Sequence, residues 1–313
     1  MDTKTIGLLL AAIIIGVAVG YAVSLPEKQA LQSQLEELKQ ASQQVTELQS
    51  QIQQLQSQVQ QLQKENEDLK NKLNPNLVEK IKARGKLIVG TSADWPPFEY
   101  IKDGKVVGID IEIAKKIAEA LGVELEIKDM KFAALIEAVK NGIIDMAIAD
   151  ITPTAEREKV VDFSVIYYSS KGNVVVTLAD KNISNMDDLK GLTVGVQLGT
   201  IQEDWAKENL EKTGIAKVVS YNKVYPDMVM VLQRGDVDAL VLSEMVANVI
   251  LKKVSGLKIA FIIKGNALGA AVALPPGAED LKYYVNKVIQ DLIESGEMDK
   301  IFEEQIAAWL AGS

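Results

Sequence analysis

The stretch GIIDMAIADITPTAEREKVVDFS, residues 142–164, decides the fold, because a short apolar run in it ends in a polar turn that carries one arginine. The run MAIA, residues 146–149, is typical of a parallel strand that is buried on both faces. Asp150 and Thr152 follow at the carboxyl end of this strand, where open α/β sheets bind their ligands. Arg157 adds a planar fork of donors suited to a carboxylate. The stretch predicts one wall of a binding cleft; the alternative is a surface arginine in the first turn of a helix.

The composition limits the chemistry that the chain can carry. Its 313 residues, 48% of them hydrophobic, are enough for more than one ordinary domain. A net charge of −9 and the lack of a long basic run argue against a nucleic-acid partner. Cysteine and histidine are absent from the sequence, which excludes disulfides, thiol nucleophiles, Ser-His-Asp triads and zinc sites built on imidazole or thiolate. We therefore expect neither a metal nor a cofactor.

An uncharged apolar segment lies near the N-terminus. Residues 6–25 have the length of a helix of ~20 residues that crosses the hydrocarbon core of a bilayer. We interpret residues 1–26 as a transmembrane anchor that leaves the rest of the chain on the extracellular or periplasmic side of the cell membrane. The alternative is a cleaved export signal, with Lys4 as its basic region and Ala22 and Ser24 as a small-residue cleavage site.

Residues 27–74 form a long predicted helix. They contain no glycine, and Pro26 and Pro75 lie at the two borders. Apolar residues recur with a seven-residue period, which is typical of a parallel two-stranded coiled coil. The a positions are Val45, Ile52, Val59, Asn66 and Leu73, and the d positions are Leu48, Leu55, Leu62 and Leu69. We expect a coiled-coil stalk that forms a parallel homodimer; a single amphipathic helix that lies on the following domain is the alternative.

Strands and helices alternate beyond Pro75, and this pattern indicates α/β lobes with mainly parallel sheets. The pattern occurs twice, because ALIEAVKNGIIDMAIAD (residues 134–150) resembles MVMVLQRGDVDALVLSE (residues 228–244). We therefore predict two similar lobes with a ligand in the cleft between their strand ends. The expected ranges are 75–176 and 266–313 for the first lobe and 177–265 for the second, with hinge crossovers at 173–178 and 264–268.

Four motifs occur in an order and at a spacing that are typical of one family. They are GTSADWPPFEY (residues 90–100), GIDIEIAKKIAEALG (108–122), ADITPTAEREKVVDFS (149–164) and GVQLGTIQE (195–203). On these motifs, residues 76–313 resemble the amino-acid-binding family of extracellular solute-binding proteins that supply ABC importers. The resemblance implies a two-lobed, type II periplasmic-binding-protein-like α/β fold with two hinge crossovers, shared with ionotropic glutamate receptor ligand domains. It also implies two partners, a free L-amino acid and the permease subunits of an importer.

The resemblance further implies roles for individual residues. Arg157 would hold the ligand's α-carboxylate in two parallel hydrogen bonds, and Thr152 would add its hydroxyl and amide. The backbone carbonyl of residue 150 would accept a hydrogen bond from the α-ammonium group. Trp95 and Phe132 match the aromatic walls that enclose the ligand's side chain.

Two further features concern helix starts. Thr200, Ile201 and Gln202 lie where a strand turns into a helix, and amides at a helix N-terminus bind anions. We expect these residues to contact the α-carboxylate from the second lobe; an ordinary threonine N-cap is the alternative. Asp110 is interpreted as the N-cap of its own helix and left out of the site.

The sequence departs from the family's pattern at two positions. Ser243 stands where the second lobe usually presents a carboxylate to the α-ammonium group. We hypothesise that Asp150 replaces that carboxylate, with Glu244 as the second candidate. Ser92 stands where relatives that bind basic side chains or glutamine often carry aspartate, but Asp94 is nearby, so a basic ligand stays in consideration.

These observations predict a membrane-tethered extracellular receptor for a polar or basic L-amino acid, which is not an enzyme. One alternative is a dehydratase of the prephenate type on the same fold, with a carboxyl group of Asp150 or Glu244 as general acid. Another is the ligand-sensing module of a signalling complex, in which the coiled coil pairs two copies of the chain.

Overall fold

The computed structural model describes residues 25–72, 76–263 and 269–312. The chain divides into two compact units, Met1–Asp68 and Leu69–Ser313. The predicted anchor, residues 1–26, lies outside the described residues except for its last two. Among the helices that are described, none is both long and apolar enough to cross a membrane.

The first unit is dominated by one helix, α1 (Leu25–Lys72), which follows the predicted stalk almost from end to end. At 1.5 Å per residue its 48 residues extend about 70 Å. Six apolar residues at the predicted a and d positions are exposed on this single helix: Val45, Leu48, Ile52, Leu55, Val59 and Leu62. The helix is therefore present, whereas its pairing with a second copy stays a prediction.

The second unit contains the remaining strands and helices. The strands are β1 (Lys86–Thr91), β2 (Asp94–Trp95), β3 (Glu99–Lys102), β4 (Lys105–Val107), β5 (Glu124–Asp129), β6 (Met146–Ala147), β7 (Asp162–Phe163), β8 (Tyr168–Ser169), β9 (Asn173–Leu178), β10 (Thr193–Gln197), β11 (Lys217–Tyr221), β12 (Ala239–Ser243), β13 (Leu257–Ile263), β14 (Gly269–Ala270) and β15 (Ala273–Leu274). The helices are α2 (Leu77–Arg84), α3 (Ile109–Leu121), α4 (Leu135–Lys140), α5 (Ala155–Glu158), α6 (Ile201–Ala206), α7 (Val229–Arg234), α8 (Glu244–Lys253), α9 (Glu279–Glu294) and α10 (Glu297–Ala311).

These elements form two lobes, each built on a five-stranded mixed sheet. The strand order is β5-β1-β6-β15-β7 in the first lobe and β11-β10-β12-β9-β13 in the second. In each sheet three strands are parallel, and the others run antiparallel to their neighbours. The prediction of two α/β lobes is confirmed, although the sheets are less uniformly parallel than the sequence pattern suggested.

Both faces of the second sheet are buried, as the alternation along β12 demonstrates. Leu240 and Leu242 pack into one hydrophobic cluster, whereas Ala239 and Val241 pack into another. Successive side chains of a strand point to opposite faces, so a strand covered on both sides must be apolar throughout. This explains why the strand sequences read as continuous apolar runs.

The chain passes between the lobes at the antiparallel pair β8–β14. The sequence placed the first crossover at residues 173–178, but this segment is β9, which pairs along its length with β12 and β13 of the second sheet. Residues 173–176 therefore lie in the second lobe's sheet rather than in the first lobe. The predicted return crossover at 264–268 lies outside the described residues.

The sequence repeat has a structural basis in two aspartates. In the first lobe Asp145 Oδ2 accepts a hydrogen bond of 2.7 Å from the backbone amide of Ile88 in β1. In the second lobe Asp238 Oδ2 accepts one of 2.9 Å from the amide of Thr193 in β10. Each aspartate lies directly before one strand and thus joins it to a backbone amide of the adjacent strand.

Candidate ligand-binding site

A cavity of about 260 Å³ lies between the lobes, near the carboxyl ends of β6 and β10. This volume is close to the lower end of the range for small-molecule sites and suits one small metabolite. Most of the predicted site residues line it: Trp95, Phe132, Asp150, Thr152, Arg157, Thr200, Ile201, Gln202 and Ser243. The structure therefore brings nine of the twelve predicted site residues around one cavity.

Arg157 is held at the cavity wall by the backbone of both lobes. Its Nη1 donates to the carbonyl of Thr152 at 2.7 Å, and its Nη2 donates to the carbonyl of Gly199 in the second lobe at 2.9 Å. The guanidinium lies 5.4 Å from the ring centre of Phe132. Thr154 caps the short helix α5 and fixes the direction in which the arginine leaves the backbone.

The charge of Arg157 is only partly compensated in this arrangement. Carbonyl oxygens carry no net charge, and burial lowers the pKa of Arg157, against the opposite effect of Asp204. A half-buried cation with N–H groups still available favours an anion in the cavity. These contacts fit an arginine that binds a carboxylate. They do not fit the free surface arginine that the sequence left as an alternative.

The start of helix α6 forms the opposite wall. Thr200 caps this helix, because its Oγ1 accepts a hydrogen bond of 3.2 Å from the amide of Glu203. Ile201 and Gln202 follow in the first turn and line the cavity. Thr200 is therefore an ordinary N-cap that also lines the cavity, and its contact with an α-carboxylate stays a prediction.

Asp150 is the one carboxylate on the cavity wall among the described lining residues. Its backbone has a φ of 46°, a left-handed conformation that aspartate and asparagine adopt more readily than most residues. Its Oδ2 accepts a hydrogen bond of 2.9 Å from the indole nitrogen of Trp95. Burial raises the pKa of Asp150 to about 8, and the negative charge of Asp110 adds to this, while the bond from Trp95 acts against it.

Asp110 is not the N-cap of its helix, so that prediction is wrong. Helix α3 is capped at Gly108, and Asp110 lies inside its first turn with no exposed surface. Its Oδ2 accepts hydrogen bonds from the amide of Asp150 at 2.8 Å and from the hydroxyl of Tyr167 at 3.0 Å. Asp110 therefore supports the cavity wall from behind instead of capping its helix.

Three predicted residues lie outside the cavity lining that the structure describes. Ser92 is buried and donates its hydroxyl to Asp94 Oδ2 at 2.8 Å. Asp94 in turn accepts hydrogen bonds from the second lobe, from Gln197 Nε2 at 2.8 Å and from the amide of Val224 at 3.0 Å. Burial, the largest cause, raises the pKa of Asp94 to about 6. Glu244 begins helix α8, and its amide donates to the carbonyl of Gly172.

Ser243 does line the cavity, and its hydroxyl is buried without a hydrogen-bond partner among the described residues. A buried hydroxyl of this kind costs free energy unless a partner reaches it. It is therefore available to a hydrogen-bonding group of a ligand in the cavity.

Four polar or aromatic residues of the lining were not predicted from the sequence: Ser170, Asn173, Gln197 and Trp205. Trp205 belongs to helix α6, which was considered only for its first turn. Asn173 accepts a hydrogen bond of 2.8 Å from Gln202 Nε2. Gln197 lies within the quoted motif at residues 195–203, whereas Ser170, Asn173 and Trp205 lie outside the four motifs.

Residues 87–307 match the family of bacterial extracellular solute-binding proteins, family 3. The chain belongs to this family. The predicted resemblance is thus confirmed, and the two-lobed fold agrees with solved relatives. Relatives of this solute-binding protein are named as binding proteins and not as enzymes, which removes the dehydratase alternative.

Several relatives are similar over most of their length. The arginine-binding extracellular protein ArtP of Bacillus subtilis is 38% identical over 230 residues, which cover 72% of this chain and 87% of ArtP. The L-cystine-binding protein TcyJ of Escherichia coli is 31% identical over 245 residues, covering 77% of this chain and 90% of TcyJ. The structure of the ABC transporter substrate-binding protein AbpA of Streptococcus pneumoniae bound to L-arginine aligns with a TM-score of 0.69 and 38% identity, over 74% of this chain and 99% of that one.

Proposed function

We propose that this protein captures a polar or basic L-amino acid in the cavity between its lobes and delivers it to an ABC importer. The observation that carries the proposal is that a guanidinium group, Arg157, and a carboxyl group, Asp150, line the same cavity. A free amino acid has a carboxylate and an ammonium group on one carbon, and it needs a partner for each. The relatives named for arginine and cystine support a ligand of this class.

The α-carboxylate binds at Arg157 in this proposal. Two of the five guanidinium N–H groups already bond to carbonyls, and the others are left for an anion. Thr152 adds its hydroxyl and amide from the same lobe. Thr200, Ile201 and Gln202 contribute the positive end of helix α6 from the other lobe.

The α-ammonium group binds at Asp150, and Glu244 remains the second candidate. Asp150 is favoured because it lines the cavity, whereas Glu244 lies outside the described lining. The unpartnered hydroxyl of Ser243 provides a further acceptor. Trp95 and Phe132 enclose the side chain, and the bond from the Trp95 indole to Asp150 keeps that ring in place.

Arg157→Ala tests this assignment. One charge-assisted hydrogen bond contributes ~1.5–3 kcal/mol, so we expect the Kd of the best ligand to rise at least ~10-fold. A thermal-shift screen of the common L-amino acids selects that ligand, and calorimetry then measures its Kd. Arg234→Ala is the matched control, because that arginine is 58% exposed and pairs with Asp236 on the surface. Equal affinity in the Arg157 variant and the parent contradicts the proposal, as does a screen in which no amino acid raises the melting temperature.

The N-terminal part of the chain tethers the receptor in this proposal. Residues 1–26 anchor it in the cell membrane, with the binding domain on the extracellular side. Helix α1 pairs in parallel with the same helix of a second copy. The support is the row of exposed apolar residues at a and d positions, of which Leu55 and Ile52 are 59% and 54% exposed.

Single cysteines test the pairing, since the natural sequence has none to confuse the result. Leu55→Cys places a thiol at a d position, where parallel strands bring identical residues together. Ser57→Cys places one at the outward f position and serves as the near-isosteric control. We expect a disulfide-linked dimer of the full chain with Leu55→Cys and much less with Ser57→Cys. Equal cross-linking at the two positions, or none at either, contradicts the parallel coiled coil.

A further inference from the structure

Residues 197–200, the closing turn, belong to the second lobe, and the first lobe contacts them at several points. Asp94 accepts a hydrogen bond of 2.8 Å from the side chain of the first residue of this turn. Arg157 Nη2 donates to the carbonyl of Gly199 at 2.9 Å. Gly199 also packs so closely against Ala133 that a Cβ at Gly199 would lie 2.8 Å from the Cβ of Ala133. The closed cleft therefore requires the closing turn to hold one backbone conformation.

Arg157 takes part in two kinds of contact at this place. In the proposed function its remaining N–H groups bind the ligand's α-carboxylate. Its bond to the carbonyl of Gly199 joins the two lobes at the same time. Because this bond requires the lobes to be in contact, it stabilises the closed form that surrounds the ligand. The direction of the Gly199 carbonyl therefore matters for the retention of the ligand.

The backbone of Gly199 does not fix this direction by itself. Its φ of 82° lies in the left-handed region, and glycine adopts other backbone conformations about as readily. A hydrogen-bond partner is needed to select the observed one. Glu203 provides it, because its Oε2 accepts a hydrogen bond of 2.6 Å from the amide of Gly199.

This bond differs from the usual bond of a helix cap. Thr200 caps helix α6, and Glu203 occupies the third helical position, which is the spacing of a capping box. In that motif the carboxylate bonds to the amide of the cap residue itself. Here it bonds to Gly199, the residue before the cap. The carboxylate therefore holds the closing turn as well as the end of the helix.

The carboxylate of Glu203 is in turn held by the second lobe. The residue is only 4% exposed. Its Oε1 accepts a hydrogen bond from the hydroxyl of Ser220 in β11 and forms an ion pair of 2.7 Å with Lys207 Nζ. Burial acts to raise the pKa of Glu203, but the bonds from Lys207, Ser220 and Gly199 outweigh it and lower the pKa from its usual value. One oxygen of an ionised carboxylate is thus fixed to the lobe, and the other is fixed to the closing turn.

We propose that Glu203 is a positioning residue for ligand capture: through the amide of Gly199 it orients the carbonyl that Arg157 uses to join the lobes. Glu203 lies outside the described lining of the cavity, so it acts without touching the ligand. Its effect is on ligand release, because a bond that only the closed form contains slows the opening of the cleft. The inference rests on the proposed amino-acid-binding function and adds a residue to its closing step.

Two variants separate the hydrogen-bond acceptor of Glu203 from its charge. Glu203→Gln keeps the length of the side chain, so its amide oxygen can accept from Gly199 while its NH2 group donates to the hydroxyl of Ser220. Glu203→Asp keeps the charge, but the loss of one methylene group moves the carboxylate back by ~1.5 Å and out of hydrogen-bond range. We expect the Kd to stay within ~3-fold of the parent in Glu203→Gln and to rise ~10-fold or more in Glu203→Asp.

Lys207→Ala and Ser220→Ala are the matched controls. Each removes one partner of Oε1 and leaves the bond between Oε2 and the amide of Gly199 in place. We expect both variants to lower the melting temperature and to leave the Kd nearly unchanged. They therefore measure how much of any effect comes from general weakening of the second lobe.

Calorimetry and stopped-flow fluorescence measure the variants in the full chain. The probe is L-arginine, or the common L-amino acid that most raises the melting temperature of the parent. Trp95 and Trp205 line the cavity and supply the fluorescence signal for ligand release. We expect the change in Glu203→Asp to lie mainly in the release rate, since the bond across the cleft forms after the ligand has entered.

Arg157→Ala provides a second background that separates positioning from a general structural effect. If Glu203 acts through the bond between Gly199 and Arg157, Glu203→Asp should raise the Kd by a smaller factor in the Arg157→Ala background than in the parent. The same factor in both backgrounds overturns the inference.

The remaining outcomes are equally decisive. A Kd for Glu203→Asp within twofold of the parent overturns the inference and leaves the proposed function intact, whatever happens to the melting temperature. An equal rise in Glu203→Gln overturns it as well, because the charge and not the acceptor would be responsible. A rise of the same size in both control variants shows a general effect of the second lobe and also overturns it. A parent that binds none of the common L-amino acids overturns the proposed function and, with it, the role of Glu203.

Discussion

Asp94 joins the two lobes when the cleft is closed, and its removal gives the sharpest test of the closing energy. It belongs to the first lobe and is 2% exposed. Its Oδ1 accepts two hydrogen bonds from the second lobe, from Gln197 Nε2 at 2.8 Å and from the amide of Val224 at 3.0 Å. Both bonds require the two lobes to be in contact. Asp94→Ala therefore removes contacts that belong to the closed form.

The expected magnitude follows from these two bonds. Each hydrogen bond contributes a net ~1 kcal/mol, and a carboxylate acceptor raises this figure. Part of the gain is offset because burial of Asp94 is costly, as its raised pKa of about 6 indicates. A net loss of about 2 kcal/mol in closing free energy corresponds to a ~30-fold increase in the Kd of any ligand that requires closure.

Asp94→Asn is the informative partner variant. Its amide oxygen can keep both bonds from the second lobe, and its NH2 group can donate to the hydroxyl of Ser92. We expect its Kd to stay within ~3-fold of the parent. Asp129→Ala serves as the control, because Asp129 accepts from the amide of Ala93 within the first lobe. That variant should lower the melting temperature while the Kd remains nearly unchanged.

Calorimetry with the best ligand of the thermal-shift screen measures the three variants. Small-angle scattering with and without ligand reports whether each variant still closes. A Kd for Asp94→Ala within twofold of the parent refutes the reasoning, because the bonds across the cleft would then contribute nothing to closure. An equal rise in the Kd of Asp94→Asn also refutes the reasoning, because the loss of affinity would then come from the charge of the carboxylate and not from its hydrogen bonds.

Three further predictions concern the cleft and the sheets. Gly199 has a φ of 82°, and a Cβ there would lie 2.8 Å from the Cβ of Ala133 across the cleft; Gly199→Ala should therefore raise the Kd at least ~10-fold through backbone strain and blocked closure, as calorimetry would measure. Asp238→Ala leaves the amide of Thr193 without its partner, so the free energy of unfolding should fall by ~1–3 kcal/mol and the melting temperature by several degrees in scanning calorimetry. Ser243→Ala removes a hydroxyl that has no partner among the described residues; the melting temperature should hold while the Kd rises severalfold, and a drop in melting temperature with unchanged Kd contradicts a ligand contact.

Features that depend on a local sequence pattern could be predicted from the sequence. The apolar run before Asp150 predicted the buried strand end, and the repeat of that unit predicted a second lobe. The turn that carries Arg157 lies within one motif, so its place at the cleft followed from the motif alone. Helix α1 was equally predictable, because a seven-residue apolar period sustained over many turns is typical of a long helix and of no other regular structure.

Features that depend on contacts between distant segments were missed. The apolar segment 173–178 resembled a crossover, but periodicity does not specify which strands pair with it. Asp110 lies one residue after the helix start, and spacing cannot reveal that its side chain turns inward towards Asp150. Asp94 meets partners more than 100 residues away along the chain, so its role depends on how the lobes close.

Different carboxylates contact the second lobe and the cavity in this structure. Variants of Asp94 and Asp150 therefore separate the effect of closure on affinity from the effect of ligand contact. The bonds of Asp94 form with protein groups of the second lobe, so they stabilise the closed form for every ligand alike. Asp150 lines the cavity, so in the proposed function its contribution depends on the ammonium group of the ligand. Asp94→Ala should therefore raise the Kd values of L-arginine and of its uncharged analogue L-citrulline by the same factor, so that the ratio of the two Kd values is preserved. Asp150→Asn should instead weaken both amino acids through their common α-ammonium group, while the scattering profile still shows closure. Asp94 precedes Trp95, whose indole donates to Asp150, so the two residues share a neighbour and the double variant measures the coupling between them. If the ratio of the two Kd values changes in Asp94→Ala, closure itself depends on the charge of the ligand.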